Sequence, residues 1–459
     1  MEEWTILHDL AYKAVRELER KGSTAEAFFT ATDITQIAIR NSQISSQNRL
    51  EDAGVGIRVA LHNRIGFACT NTITEKAIRR AGEQAFSIAE VSPRIPDFVL
   101  PEPGTLPQVN GLYDPEMAEI KGEEAVDVAE RAITAAEAVD DRVRVKSGLV
   151  LYESGCRGII NTQGIDCEEP ETRASLYVGG IGEDSNKVTG ICSDALYSRS
   201  EALNPEEIGE SVGRKVCRMF NPQSVQEFEG TVIFGPEAVS YQLIEVLIDA
   251  LKGDFVLAGR SFWTGKLEQK VASTILTVVD DGVLGNGFFS RQFDDEGCPS
   301  QQTVLIQNGI LQHYLLHAAS AHALHTENTG NASRYTVGFD IVANIIGNGY
   351  RTKPEPYSSN LVILPGTKSK EDLISEVKKG VLVESMAGFP QAGSGVISAQ
   401  LSEAFFIKNG EIQYPVKNGM ISGAVFDWVG NISGMGNDVK QVRNAVVPSV
   451  RVEDVKVVG

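Results

Sequence analysis

The chain has 459 residues, 42% of them apolar and 22% charged, with 44 glycines. That length and composition exclude disorder, a collagen-like repeat and a disulfide-stapled mini-domain. The 42 Lys and Arg against 61 Asp and Glu give a formal charge of −19, and with no basic run to offset it the chain repels a nucleic-acid backbone, so direct DNA or RNA binding is not expected.

The cysteines (Cys69, Cys156, Cys167, Cys192, Cys217, Cys298) form no C-x-x-C pair and no zinc-knuckle spacing, which predicts reduced, structural thiols. Met1-Glu2-Glu3-Trp4 leads into no signal-peptide core, and no stretch approaches the ~20 apolar residues of a membrane span. A cytoplasmic protein is expected.

In chain order, Leu7, Leu10, Ala11, Ala14, Val15 and Leu18 predict a helix from Trp4 to Arg20. Alternation at Ala25, Ala27, Phe29, then Ile37, Ile39, then Val55, Ile57, Val59, Leu61 predicts strands with one buried face. His62-Asn63-Arg64 reads as a hairpin turn, and Thr72-Ile73-Thr74-Glu75 as a capping box opening a helix to about Glu90. Five prolines between Ser92 and Asn110 (Pro93, Pro96, Pro101, Pro103, Pro107) predict an extended surface linker.

The order then repeats. A helix is expected from about Glu123 to Val139, strands at Val143–Lys146, Leu149–Glu153, Gly158–Thr162 and Ala174–Val178, and a helix opened by Asn204-Pro205 and running to about Phe220. The predicted N-terminal domain, 1–220, is therefore a duplicated helix–antiparallel strands–helix unit joined by the linker at 92–110. The break falls near Asn221–Phe228. The C-terminal domain, 228–459, contains two Asn-Gly hairpins (Asn308-Gly309, Asn409-Gly410), a helix from about Glu237 to Leu251 and another from Ser369 to Lys379. The expected class is α+β, with a mixed C-terminal domain rich in antiparallel sheet.

Two clusters carry candidate chemistry. His313, His317, His322 and His325 fall within thirteen residues, and the first two share a face on a helix or a strand. Such imidazoles can bind a transition metal, or simply decorate a surface. The carboxylates Asp280-Asp281 and Asp294-Asp295-Glu296 each end an apolar segment, and either can border a binding cleft or hold a turn. No P-loop, dinucleotide fingerprint or G-x-S-x-G elbow is present.

Longer motifs decide the family. They run from Gly235-Pro236 through Gly253-Asp254-Phe255, Arg260-Ser261-Phe262, Gly265-Lys266, Lys270-Val271-Ala272-Ser273 and Val278-Val279-Asp280-Asp281-Gly282 to Phe293-Asp294-Asp295-Glu296-Gly297 and Thr329-Gly330-Asn331-Ala332. In the first half, Ile39-Arg40-Asn41, Gly54-Val55-Gly56-Ile57-Arg58-Val59 and Gly66-Phe67-Ala68 fit the same pattern. Over nearly its whole length the chain resembles the TldD/PmbA family, zinc-dependent peptidases also described as modulators of DNA gyrase.

The resemblance implies a particular branch. TldD-type chains carry His-Glu-x-x-x-His on the first C-terminal helix and a cysteine near the end. The matching positions here are Ile244, Glu245 and Asp249, and Gly434-Met435-Gly436-Asn437-Asp438 stands where the cysteine is expected. That implies the PmbA (TldE) branch: a non-catalytic subunit of a TldD/TldE-type metalloprotease heterodimer. The TldD-like partner supplies Zn²⁺ and the pair handles unfolded peptides, with no cofactor in this chain and no membrane contact. A homodimer is allowed when the chain is alone. Asp294, Asp295, Asn331 and Arg334 are the expected peptide-binding residues, with Arg334 offered to a peptide carboxylate. Two alternatives stay open: an independent hydrolase using the His313–His325 cluster, with His313 and His317 as metal ligands, and a non-proteolytic peptide- or partner-binding protein.

Overall fold

The computed structural model describes residues 2–95, 98–184, 187–200, 203–334 and 348–459; Pro96 of the linker lies outside them. The two N-terminal units are Glu2–Arg20, Thr24–Arg40, Gln43–Leu61, Arg64–Thr70, Glu75–Val91, and Gly122–Ala138, Val143–Asn161, Asp166–Asp184, Cys192–Ser198, Pro205–Arg218. Each is helix, strands, helix; the second adds the two-residue strand Lys187–Val188, paired with Asp166–Asp184. Their first strands pair antiparallel, Phe28 opposite Ile159, so the units fuse into one sheet with Thr24–Arg40 and Val143–Asn161 at its centre.

The expected single buried face is corrected at the centre of the sheet: Thr24–Arg40 is buried on both faces, because C-terminal residues cover the side away from the helices. Ala25, Ala27 and Phe29 pack with Leu7, Val15 and Ile78 from the helices. Phe28 points the other way and packs with Ile159, Phe293 and Tyr350. Gly54 and Gly56 lie under Tyr350: a Cβ on Gly54 would meet its ring at 2.2 Å, and one on Gly56 its carbonyl oxygen at 2.1 Å. The glycines of that motif are the seat of a C-terminal residue on the N-terminal sheet.

Some expectations change in detail. Val143–Lys146, Leu149–Glu153 and Gly158–Thr162 are not three strands; Val143–Asn161 runs unbroken, because it is paired along both sides and the glycines within it sit under neighbouring atoms rather than in turns. The second helix is capped by Thr74, which accepts from Ala77 N at 3.3 Å, not by Thr72. The linker is partly held down: Leu100 is buried and Asn161 Nδ2 donates to Pro101 O at 2.9 Å.

In the C-terminal half, strands Lys379–Ala387, Phe228–Phe234, Val450–Val458, Met420–Ala424 and Val396–Lys408 pair in that order, and the last pairs back to the first. The ring is closed, with Phe234, Val452 and Ile421 among the residues of its core. Beside it lies a sheet ordered Ile310–Leu311, Gln302–Gln307, Val278–Asp281, Leu361–Ile363, Ala445–Val447, Lys440–Val442. Both Asn-Gly turns take positive φ at both residues (50° and 79° at Asn308-Gly309, 53° and 81° at Asn409-Gly410), as a two-residue hairpin turn requires. The expected helix at Ser369 is shorter, Lys370–Ser375; Lys379 already belongs to a strand, drawn into the ring by parallel pairing with Phe228–Phe234.

Candidate functional site

The helix expected over Glu237–Leu251 is not uniform. It starts at Pro236–Ala238, widens to a π-type turn over Val239–Ile244 and resumes as an α-helix over Glu245–Leu251. Such widened turns occur often at functional sites. Glu245 and Asp249, four residues apart, share one face. Ile244 does not; it is fully buried in the hydrophobic core.

Each carboxylate on that face already has partners. The Tyr357 hydroxyl donates to Glu245 Oε2 at 3.1 Å, and Arg443 Nη1 lies 3.4 Å from Oε1. Lys252 Nζ donates to Asp249 Oδ1 at 3.1 Å and stands 5.0 Å from the centre of the Tyr357 ring. Burial pushes the Glu245 carboxyl above its ordinary range, opposed by Arg443 and the Tyr357 hydrogen bond. Burial, then the Glu245 charge, pushes the Tyr357 phenol well up. Glu245, Asp249, Lys252 and Tyr357 line a cavity of about 540 Å³, which Arg351 and, from the N-terminal sheet, Phe67 also line.

This donor set is a poor match to Zn²⁺. One position is an interior isoleucine, and the two carboxylates are bonded by a guanidinium, a phenol and an ammonium where a metal would bring its own positive charge. Met435 is buried, and Asp438, three residues on, lines a different cavity with Lys370. Neither Met435 nor Gly436 lines the Glu245 cavity.

The four expected peptide-binding residues come together, but beneath the surface. Asp294 accepts from the backbone N–H of Glu296, Cys298 and Ala332; burial, then Glu296, pushes its carboxyl up to about 7. Asp295 bonds Arg157 and accepts from the Arg334 N–H at 2.6 Å. Asn331 Nδ2 donates to Asp280 Oδ2 at 2.7 Å. The Arg334 guanidinium is bound to Glu26 and to Thr352 O. Asp294, Asp295 and Asn331 are 0% exposed. In this structure the cluster is a junction between the halves, and only Arg334 reaches the cavity wall.

The other side of that junction was missed from sequence. Arg58 bonds both Glu26 at 2.8 Å and Glu296 at 2.7 Å, and Arg157 joins Glu169 to Asp295. The signal was there: Glu26 interrupts an apolar run as the residue between Ala25 and Ala27. Tyr357, Lys252 and Arg443 had no comparable mark.

The histidines do not converge. His313 is exposed and its Nδ1 lies 2.8 Å from Val304 O. His317 caps the short helix Ala318–Ala323, with Nδ1 2.7 Å from Ser320 Oγ and 3.9 Å from Asp254 Oδ1. His322 and His325 are exposed. Among the described residues, no group of three His, Cys, Asp or Glu side chains is placed to hold a metal ion.

Comparison with known families matches residues 228–459 to the PmbA/TldA metallopeptidase C-terminal domain, 25–89 to domain 1 and 115–220 to the central domain. The chain belongs to the TldD/PmbA metallopeptidase family. Family relatives cover most of its length. Metalloprotease PmbA of Escherichia coli O157:H7 is 27% identical over 99% of this chain and 96% of its own. A metalloprotease TldD homolog of Buchnera aphidicola (subspecies Acyrthosiphon pisum) is 28% identical over 88% of this chain and 83% of its own. The fold is that of TldE from Thermococcus kodakarensis, whose crystal structure superposes with a TM-score of 0.87 at 24% identity, covering 98% of this chain and all of that one. Among the described residues no helix is long and apolar enough to cross a membrane.

Proposed function

We propose that this TldD/PmbA-family chain is the PmbA (TldE) type of subunit. In this reading it pairs with a TldD-like metallopeptidase chain, holds no zinc itself and helps enclose the space in which unfolded peptides are cut. The observation that carries it is the pairing of Glu245 and Asp249 with Arg443, Tyr357 and Lys252. A helix face that holds two carboxylates for a metal would leave them open to it; this one neutralises both with protein cations and keeps a cavity beside them. The 540 Å³ cavity bordered by both halves of the chain supplies a surface for an extended peptide, which gains affinity from main-chain hydrogen bonds and specificity from pockets.

The test has two parts. Elemental analysis of the chain purified alone is expected to find far less than one zinc per chain. Co-expression with a TldD-like chain that has an intact His-Glu-x-x-x-His is expected to give a complex with zinc and peptidase activity. About one tightly bound zinc in the chain alone, or no association with that partner, overturns the reading.

A further inference from the structure

A second, much smaller cavity of about 20 Å³ adjoins the large one, with Ser333 and Tyr357 in the walls of both. Its remaining lining is cationic and hydroxylic: Arg157, Arg173, Arg291, Ser358 and Ser359, closed on one side by Phe289. That volume holds a water or the head of one carboxylate, and nothing larger.

Arg291 is the informative residue. It is 8% exposed, its Nη2 donates to Ala332 O at 2.9 Å, and its Nη1 lies 3.4 Å from Asp295 Oδ1. Its Nε has no hydrogen-bond partner among the described residues. A buried guanidinium N–H left without an acceptor costs free energy comparable to a lost charge-assisted hydrogen bond. Ser358 Oγ accepts from Asn444 Nδ2 at 2.9 Å, which leaves its proton to donate. The nearby Arg199 donates only to the carbonyls of Leu112, Phe288 and Ser290, so no carboxylate answers its charge by hydrogen bond. Burial, then Arg173, pulls its guanidinium down to about 9.

We propose that this small cavity is an anion subsite that takes a carboxylate, presented past Tyr357 by a ligand lying in the Glu245 cavity. Arg291 Nε and the Ser358 hydroxyl donate to it. The peptide source of that carboxylate rests on the function proposed above; the anion subsite does not.

Calorimetric titration of the full chain with sodium acetate, at constant ionic strength, tests the subsite. Saturable binding is expected in the wild type and is lost in both Arg291→Gln and Phe289→Trp, the second filling the cavity while keeping every charge. Arg351→Gln, on the wall of the large cavity, retains it. No saturable binding in the wild type, or binding unaffected by both variants, overturns the proposal. A peptide with a free C-terminus is then expected to bind about tenfold or more tightly than its C-terminal amide, the range for a hydrogen bond to a charged group. Equal affinities with acetate binding intact assign the subsite to a free anion. No binding of either peptide overturns the peptide-handling reading and leaves the acetate result standing by itself.

Discussion

The Tyr357 hydroxyl donates to Glu245 Oε2 at 3.1 Å across the mouth of the cavity, tying the strand-side loop to the helix Glu245–Leu251. The bond favours the carboxylate, while burial disfavours it more strongly. Glu245 is therefore a carboxyl whose folded-state pKa lies above its unfolded value. Its contribution to stability is fully present below the ordinary carboxylate range and is lost as pH rises through the raised value. Tyr357→Phe removes the one neutral donor and raises the carboxyl further. The expected loss is about 1 kcal/mol, larger at pH 8 than at pH 4. Thermal melts of wild type and variant at the two pH values check it; a cost that is equal or larger at pH 4 contradicts the assignment.

The junction between the halves gives a second prediction. Arg334 is fully buried against Glu26, and Arg58 bridges Glu26 to Glu296. Breaking a buried pair by deleting one partner leaves an uncompensated charge and costs about 3–5 kcal/mol. Arg334→Met is expected to destabilise by that order and to speed proteolysis between residues 220 and 228. Adding Glu26→Gln should restore part of the loss, because without Arg334 the single Arg58 faces both Glu26 and Glu296, and the change removes that excess negative charge. If the double variant melts no higher than the single one, Glu26 is not the partner that matters.

The legible parts of this molecule were those with local signals. Alternation at Ala25, Ala27 and Phe29 predicted the strand but only one buried face, where the structure buries both, and the Asn-Gly pairs gave their hairpins because only a few residues accept positive φ twice in succession. The fusion of two repeats through Thr24–Arg40 and Val143–Asn161 was not legible, since pairing over 100 residues leaves no local trace. The positions Ile244, Glu245 and Asp249 were found by family resemblance, yet their partners Tyr357 and Arg443 lie about 100 and 200 residues away and are ordinary in composition. Asp294 and Asp295 look like cleft residues in sequence; that they are 0% exposed depends on Arg157, Arg334 and backbone N–H groups that only the tertiary fold brings to them.

Rebuilding the metal motif makes a third test. Ile244→His with Asp249→His places around Glu245 the two histidines that the resemblance to TldD-type chains implies. Ile244 is buried among Leu243, Leu247 and Ile248, so the new imidazole enters the hydrophobic core without a hydrogen-bond partner, at a cost of roughly 1–3 kcal/mol. The variant is expected to melt lower than wild type and to bind zinc weakly, because one of its two histidines does not face the cavity. Micromolar or tighter zinc affinity with unchanged melting would show that this helix rotates more readily than its packing implies.

The last prediction concerns a carboxyl far from the cavity. Glu403 stands on strand Val396–Lys408, is 1% exposed, and neither of its oxygens has a hydrogen-bond partner among the described residues. Its charged neighbours are Lys215 and Arg218 from the last N-terminal helix, and Glu384 and Glu237 from the C-terminal half. Burial is the largest influence and Lys215 opposes it; the carboxyl is pushed up to about 7. A raised carboxyl binds its proton more tightly in the folded state than in the unfolded one. The stability it contributes is thus fully present below the ordinary carboxylate range and disappears as pH climbs to about 7. Glu403→Gln fixes the neutral form at every pH. Its amide finds no better partners than the carboxyl, so its absolute effect at one pH mixes two causes; the difference between two pH values isolates ionisation. The variant should gain on wild type by up to about 3 kcal/mol between pH 5 and pH 8. Denaturant or thermal unfolding at those two values measures it. A variant that gains nothing over that interval would mean that Lys215 already holds Glu403 ionised at pH 5, and that the junction of the helix Pro205–Arg218 with the closed ring is an ordinary ion pair.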